Sequence, residues 1–256
     1  MKRGLRVFVG LACFFVMGLP VFSQPSSKSI MTVNLDDFDS VGAQDYLYDG
    51  QKYSWEWGCS ASRFIMDGYP KLEYFEGIPN PLAQIKLGMD GERKVLGVKV
   101  AYKRKGDNWF EIYPVRDGKT FEPVFTGTVN TLDFWVWGAN YNYNLEVLVR
   151  DARGVVHVLR GGSLYFPGWR NIIVKIPAWI EQHSKLRSGP ANMTFVGFRV
   201  RAAAEEYVDD FTIFLDELKY TTNSLSNIYD GYELRHADFG DQGSGDSDSD
   251  EVKDGE

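Results

Sequence analysis

The chain has 256 residues, 44% of them hydrophobic and 25% charged, and a formal net charge of −7. That charge sits at one end. Eight acidic residues and one lysine follow from Asp238, whereas residues 24–237 carry 24 basic and 27 acidic residues. A near-neutral body without clustered Lys and Arg excludes a nucleic-acid stripe, and two cysteines, Cys13 and Cys59, exclude a disulfide-stapled scaffold.

The first element is a targeting segment. Lys2, Arg3 and Arg6 precede an apolar run from Val7 to Leu19, which Pro20 breaks ahead of Val21, Phe22 and Ser23. A short basic start, a short apolar stretch and small residues at the cut describe a secretory signal, expected over residues 1–23. The run falls short of the ~20 apolar residues of a spanning helix. The apolar residues after Cys13 speak against a lipid-modified cysteine, which begins a polar tail. Removal of the signal takes Cys13 and leaves Cys59 without an internal disulfide partner.

Residues 24–237 read as one β domain. Strands are expected at Ile30 to Leu35, Lys52 to Trp57, Ser62 to Met66 and Lys71 to Phe75. Arg93 to Tyr102 places Leu96, Val98 and Val100 on one face, and Trp109 to Tyr113 and Asn130 to Trp137 follow. Asn144 to Arg150 and Val155 to Arg160 flank the Gly-ended turn Asp151-Ala152-Arg153-Gly154, a hairpin signal. Asn171 to Ile176 alternates again, as do Val196, Phe198 and Val200, and then Phe211, Ile213 and Leu215. Pro177 to Arg187 is the one expected helix, with Trp179, Ile180, His183 and Leu186 on a stripe. A further turn is expected at Ala202 to Tyr207. Period-two alternation in many short strands implies an all-β, antiparallel β-sandwich of jelly-roll type. Residues 238–256 are one acidic segment with too little apolar surface to fold, expected to be disordered. No heptad array is present, so the chain does not build coiled coils.

Catalytic signals are thin. The sequence holds no HExxH, paired CxxC, GxSxG or glycine-rich phosphate loop. His157, His183 and His236 fall in unrelated places, and nothing pairs one with Cys59. The doublets Asp36-Asp37, Glu205-Glu206 and Asp209-Asp210 are the only material for a glycosidase pair, which needs two carboxyls at a set distance across a cleft; solvated turns are the plainer reading. The expectation is a protein with no catalytic residues and no cofactor.

The aromatics carry more. Seven Trp, fourteen Tyr and seventeen Phe exceed what a core of this size requires. Tyr53, Trp55 and Trp57 alternate with polar residues, so their side belongs to the core. Leu132, Phe134 and Val136 already form a core stripe, which turns Trp135 and Trp137 outward beside the loop that holds Tyr141 and Tyr143. An exposed patch of Trp135, Trp137, Tyr141 and Tyr143 would be a binding surface, the alternative being that another loop of the same chain covers these Trp. The turn with Lys103, Arg104 and Lys105 is a second expected contact, suited to an acidic neighbour such as the tail of an adjacent copy.

Several segments taken in order carry a resemblance. They are the signal, Asn34-Leu35-Asp36-Asp37-Phe38-Asp39, Phe166-Pro167-Gly168-Trp169-Arg170, Ile176-Pro177-Ala178-Trp179-Ile180 and the closing Phe211-Thr212-Ile213-Phe214-Leu215-Asp216-Glu217-Leu218. The chain resembles the spirochaetal flagellar filament outer-layer proteins, the sheath proteins of periplasmic flagella, over roughly Ile30 to Tyr220. The resemblance implies an exported periplasmic subunit that coats a flagellin core beside neighbouring sheath subunits. The acidic tail has no counterpart in that pattern. The same first and last strands also resemble jelly-roll carbohydrate-binding modules, which implies an alternative function as an exported carbohydrate-binding module. Some of those hold a structural calcium, for which Asp37, Asp39 and Asp216 would be the oxygen ligands.

Overall fold

A computed structural model describes residues 28–86, 91–184 and 192–225. The expected signal at 1–23 and tail at 238–256 lie outside the described residues. The elements in chain order are β1 (Lys28–Asp36), β2 (Ala43–Tyr48), β3 (Gln51–Ala61), β4 (Lys71–Glu76), α1 (Asn80–Ile85), β5 (Lys94–Val100), β6 (Trp109–Arg116) and β7 (Lys119–Thr120). They continue with β8 (Thr128–Ala139), β9 (Tyr143–Arg150), β10 (Val156–Ser163), β11 (Pro167–Lys175), β12 (Thr194–Ala202) and β13 (Phe211–Leu225).

These strands form two antiparallel sheets. One runs β11-β8-β13-β5-β4, with β1 paired to the second half of β13; the other runs β10-β9-β12-β6-β3-β2, with β7 on β6. The alternation read from the sequence sets which face of each strand turns inward. Leu132, Phe134 and Val136 of β8 meet Phe195, Phe198 and Val200 of β12 in the buried layer between the sheets. Rings link the two sheets directly, Phe134 to Phe198 at 4.9 Å and Phe110 to Phe211 at 6.0 Å, and Trp57 meets Phe198 at 6.3 Å within one sheet. Burial of each such side chain contributes about 1.5–3 kcal/mol, so a core this rich in rings holds the fold without a disulfide. Trp55 and Trp57 are buried, on the core side of β3.

Strand β13 keeps its core pattern through one irregularity. Phe211, Ile213 and Leu215 point inward, and then so do Leu218 and Tyr220. The extra residue is absorbed at Glu217, whose φ is 52° and where the register with β8 shifts between Asp216 and Lys219. A bulge of this kind resets the face on which a strand's side chains fall.

Two sequence expectations are corrected. Ser62 to Met66 is not a strand: it is a turn with a single bridge from Ile65 to Tyr102. Pro177 to Arg187 is not a helix over its described part, residues 177–184. Ile180 closes a turn onto Pro177, and the Gln182 amide then clamps Val129, accepting from its N–H at 2.7 Å and donating to its carbonyl at 2.9 Å. Those bonds tie the end of the segment to β8, and Trp179 is 68% exposed rather than on a buried stripe. The short helix lies instead at α1, which buries only Leu82. Strand β2 gave no sequence signal because a register shift between Ala43 and Tyr46 breaks its alternation.

Candidate functional site

The outer face of the β11-β8-β13-β5-β4 sheet carries a row of rings. Strand pairing sets Trp169 opposite Trp137, Trp137 opposite Phe214, and Phe214 opposite Gly97. Trp137 meets Phe214 edge-on at 5.5 Å, and Phe214 meets Phe75 of β4 edge-on at 5.7 Å. Gly97 is what lets the row close. A Cβ there would stand 2.7 Å from the Phe75 ring and 2.9 Å from Phe214, so only a glycine admits both rings over β5. The result is an aromatic strip on the sheet, half-buried at Trp169, Trp137 and Phe214 and exposed at Phe75, with Lys71, Glu73 and Lys99 beside a hollow of about 230 Å³ at its β4 end.

Trp135 lies one register row away, between Asn171 and Asp216, and is also half-buried on this face. The outward placement of Trp135 and Trp137 thus follows the sequence pattern. Tyr141 and Tyr143 do not join them, which corrects the expected four-residue patch. The chain turns at Asn140, with φ 62°, and crosses to the other sheet. Tyr143 is 0% exposed, stacked on Phe211 at 3.9 Å, and burial raises its phenol pKa well above the ordinary value. Tyr141 packs its ring edge-on against the same Phe211 at 5.8 Å. Both rings serve the core. Phe75, Phe214 and Trp169 were missed as partners of Trp137. Phe214 did carry a signal, since it falls opposite the Phe211, Ile213 and Leu215 stripe.

The basic turn is exposed, but each cation has a local partner. Lys103 reaches Asp67 at 3.3 Å, the Arg104 guanidinium lies 3.6 Å over Phe64, and Lys105 donates to the Glu205 carbonyl at 2.6 Å. Exposed contacts of this type contribute about 1 kcal/mol or less each. The turn stands apart from the aromatic row, beside Tyr207.

The acidic groups gather where the β1–β2 loop meets α1 and the β13 bulge. Asp36 is buried and accepts from Trp57 Nε1 at 2.6 Å and from the Phe38 N–H at 2.9 Å. Burial outweighs those bonds and pushes its pKa up to about 7. Asp216 is 1% exposed, its Oδ1 has no hydrogen-bond partner, and burial pushes its pKa up to about 8 against the pull of Lys86. Asp39 is bound by Lys86 Nζ at 3.0 Å and Arg93 at 3.1 Å, and Lys86 reaches Glu217 at 2.5 Å. Burial disfavours charge on Lys86, but its bonds to Glu217 and Asp39 prevail and raise its pKa.

This arrangement does not fit the expected calcium ligands Asp37, Asp39 and Asp216. A lysine ammonium and a guanidinium already occupy Asp39, Asp37 is turned to the Asp39 N–H, and no group of three or more potential ligands converges among the described residues. The side chain of Cys59 is half-buried, and burial pushes its thiol up to about 12, which disfavours the reactive thiolate.

On the opposite outer face, Gly197 leaves a hollow of about 310 Å³ above the β10-β9-β12-β6-β3-β2 sheet. Its charged walls are satisfied internally. Arg150 is bidentate on Glu122, and Arg199 bonds Glu111 at 2.6 Å.

Comparison with known proteins gives one consistent family signal. The family model described as flagellar filament outer layer protein Flaa matches residues 80–228, more than half of the chain. A curated flagellar filament outer layer-like protein of Brachyspira hyodysenteriae is 27% identical over 196 residues, covering 77% of this chain and 87% of that protein. Among solved structures, a carbohydrate-binding module of the β-sandwich superfamily aligns at TM-score 0.41 and 14% identity. That alignment covers 64% of this chain and 56% of the module, so the chain spans little more than half of it. The family 11 carbohydrate-binding module of a Clostridium thermocellum cellulase aligns at TM-score 0.40 and 10% identity, over 77% and 96%. These two likenesses are loose and decide nothing about a ligand.

Proposed function

We propose, from the premise that this chain belongs to the flagellar filament outer layer protein family, that it is a structural subunit of the outer sheath of a periplasmic flagellar filament. It is exported, coats a flagellin core and supports motility through contacts alone, with no catalytic step. The observation that carries this reading is the aromatic row on a rigid sheet face. Trp169, Trp137, Phe214 and Phe75 offer an apolar strip that is costly to leave in water and matches no ligand-enclosing pocket. Trp135 widens it. The basic turn at Lys103, Arg104 and Lys105 is a secondary contact for an acidic neighbour, limited by its local partners.

The test is sedimentation of isolated periplasmic filaments. The wild-type chain pellets with them, and Trp135→Ala with Trp137→Ala leaves the chain in the supernatant while its circular dichroism is unchanged. Immunogold labelling places the chain along the filament. Retention on a polysaccharide column, with a ligand-dependent shift in tryptophan fluorescence and no filament label, would instead support the exported carbohydrate-binding alternative.

A further inference from the structure

We propose that copies of this chain join head to tail, the β10/β11 flank of one packing on the β1/β2/β4 flank of the next. The inference deepens the sheath reading and rests on it, because it names the neighbouring partner in the layer.

Among the described residues, the sandwich has two open flanks. On the first, β10 pairs there only with β9 and β11 only with β8. On the second, β2 pairs there only with β3, β4 only with β5, and β1 only with β13. Open strand edges in soluble proteins are usually blunted by charge or covered, because they invite pairing with another chain. Here both flanks are apolar. The first exposes Val156, Val158, Tyr165, Ile173 and Trp179, with Trp179 drawn to β10 by an edge contact to His157 at 5.1 Å. The second exposes Ile30, Met31, Val41, Leu47 and Phe75. Among the described residues, three large exposed apolar side chains, Met66, Ile85 of α1 and Tyr207, lie away from these flanks and their adjoining turns. The concentration is therefore specific to the two edges.

Charge decides how the flanks combine. From Gly154 to Ile180 the chain has three basic residues, Arg160, Arg170 and Lys175, all exposed, and no acidic one. From Ser29 to Gln51 it has five acidic residues and no basic one; Asp36 among them is buried, and Asp39 and Asp45 already hold Lys86, Arg93 and Lys52, so the excess of negative charge is smaller than the count. Strand β4 adds exposed Glu73 and Glu76 against Lys71, and an acidic hollow of about 360 Å³ opens beside Asp37, Asp39 and Asp45, with Arg93 also in its wall. Each flank set against itself would bring like charges together. The two set against each other bring apolar to apolar and basic to acidic. Contacts between different patches on identical subunits give an open array when the rotation does not close, which is the geometry a filament layer needs.

The test is sedimentation velocity on the full-length chain, purified in the form the cell leaves it. The wild type gains mass with concentration, and added salt weakens the association. Val158→Glu with Ile173→Glu blocks the first flank, and Ile30→Lys with Leu47→Lys blocks the second. All four sites are exposed, so circular dichroism stays native. Each variant alone associates at least about tenfold more weakly, since loss of one good interface anchor costs this much. An equal mixture of the two recovers association at least to dimers, because one intact flank of each kind remains.

A monomeric wild type, a mixture that fails to dimerise, or either variant assembling like the wild type would overturn the proposal. So would loss of assembly in a full-length chain carrying Asp246→Asn, Asp248→Asn, Asp250→Asn and Glu251→Gln, which would make the tail the occupant of the basic flank. Filament pelleting separates the two readings. A chain that still pellets with filaments but does not self-associate refutes this inference and leaves the sheath reading standing.

Discussion

Replacing Asp216 with Asn should make the protein more stable in alkali than the wild type. The carboxyl is 1% exposed and one of its oxygens bonds to nothing, so its ionised form is disfavoured and its pKa rises from 3.8 to about 8. In the unfolded chain it ionises near pH 4. Between these values the folded protein holds a proton that the unfolded chain has released, so stability falls as pH rises through that window and levels above pH 8. Each tenfold change in proton affinity is worth about 1.4 kcal/mol. The ceiling on the penalty is therefore on the order of 5 kcal/mol, and local rearrangement toward Lys86 leaves a working figure of about 2 kcal/mol or more. Asn cannot ionise and fits the same space. Urea unfolding at pH 5, 7 and 9 should give similar midpoints for both proteins at pH 5 and a higher midpoint for Asp216→Asn at pH 9. A variant that loses stability with pH in parallel with the wild type, or that is the weaker protein at pH 9, would refute the reasoning. Asp36→Asn is the contrasting control. Two donors converge on Asp36, an amide offers one oxygen for them, and the substitution should cost about 1–3 kcal/mol at pH 5.

Gly97→Val should cost about 1–3 kcal/mol, the usual price of overpacking, and should shift tryptophan emission, because the displaced Phe214 packs on Trp137; thermal unfolding and fluorescence measure both. Lys86→Met removes the cation shared by half-buried Glu217 and Asp39, leaving Asp39 its bond to Arg93, and should lower stability by about 1–3 kcal/mol at pH 7. A chelator should leave the wild-type Tm unchanged, and a clear fall in Tm would restore the calcium reading of Asp37, Asp39 and Asp216. Cys59, with its thiol pushed up to about 12, should react with a thiol reagent at pH 8 only as the chain unfolds, and fast labelling of the native protein would contradict that.

Several features were legible in the sequence because they depend on local alternation. The inward stripes on β5, β8 and β12 follow from side chains two residues apart falling on the same face. The turn at Asp151 to Gly154 was equally plain: the Asp151 carboxylate accepts the Arg153 and Val155 N–H groups, and Gly154 takes φ 95°. Where the expectation failed, a distant partner overrode the local pattern. Gln182 bonded to β8 kept the 177–184 segment out of a helix, and a chain crossing at Asn140 moved Tyr143 from the surface to the core.

The sequence by itself determined a β-sandwich with a ring-rich core, the outward turn of Trp135 and Trp137, and the charge blocks that separate one stretch of chain from another. Periodicity and composition are properties of neighbours in the chain, so one sequence suffices to read them. The tertiary structure alone decided which strands lie side by side. Strand order brings Trp169, Trp137, Phe214 and Phe75 into one row from residues far apart in the chain. It also sets the β1/β2/β4 edge on the flank opposite the basic β10/β11 edge, and it buries Asp216 with one carboxylate oxygen unbonded. Those outcomes come from pairing and packing between remote segments, which no local pattern encodes.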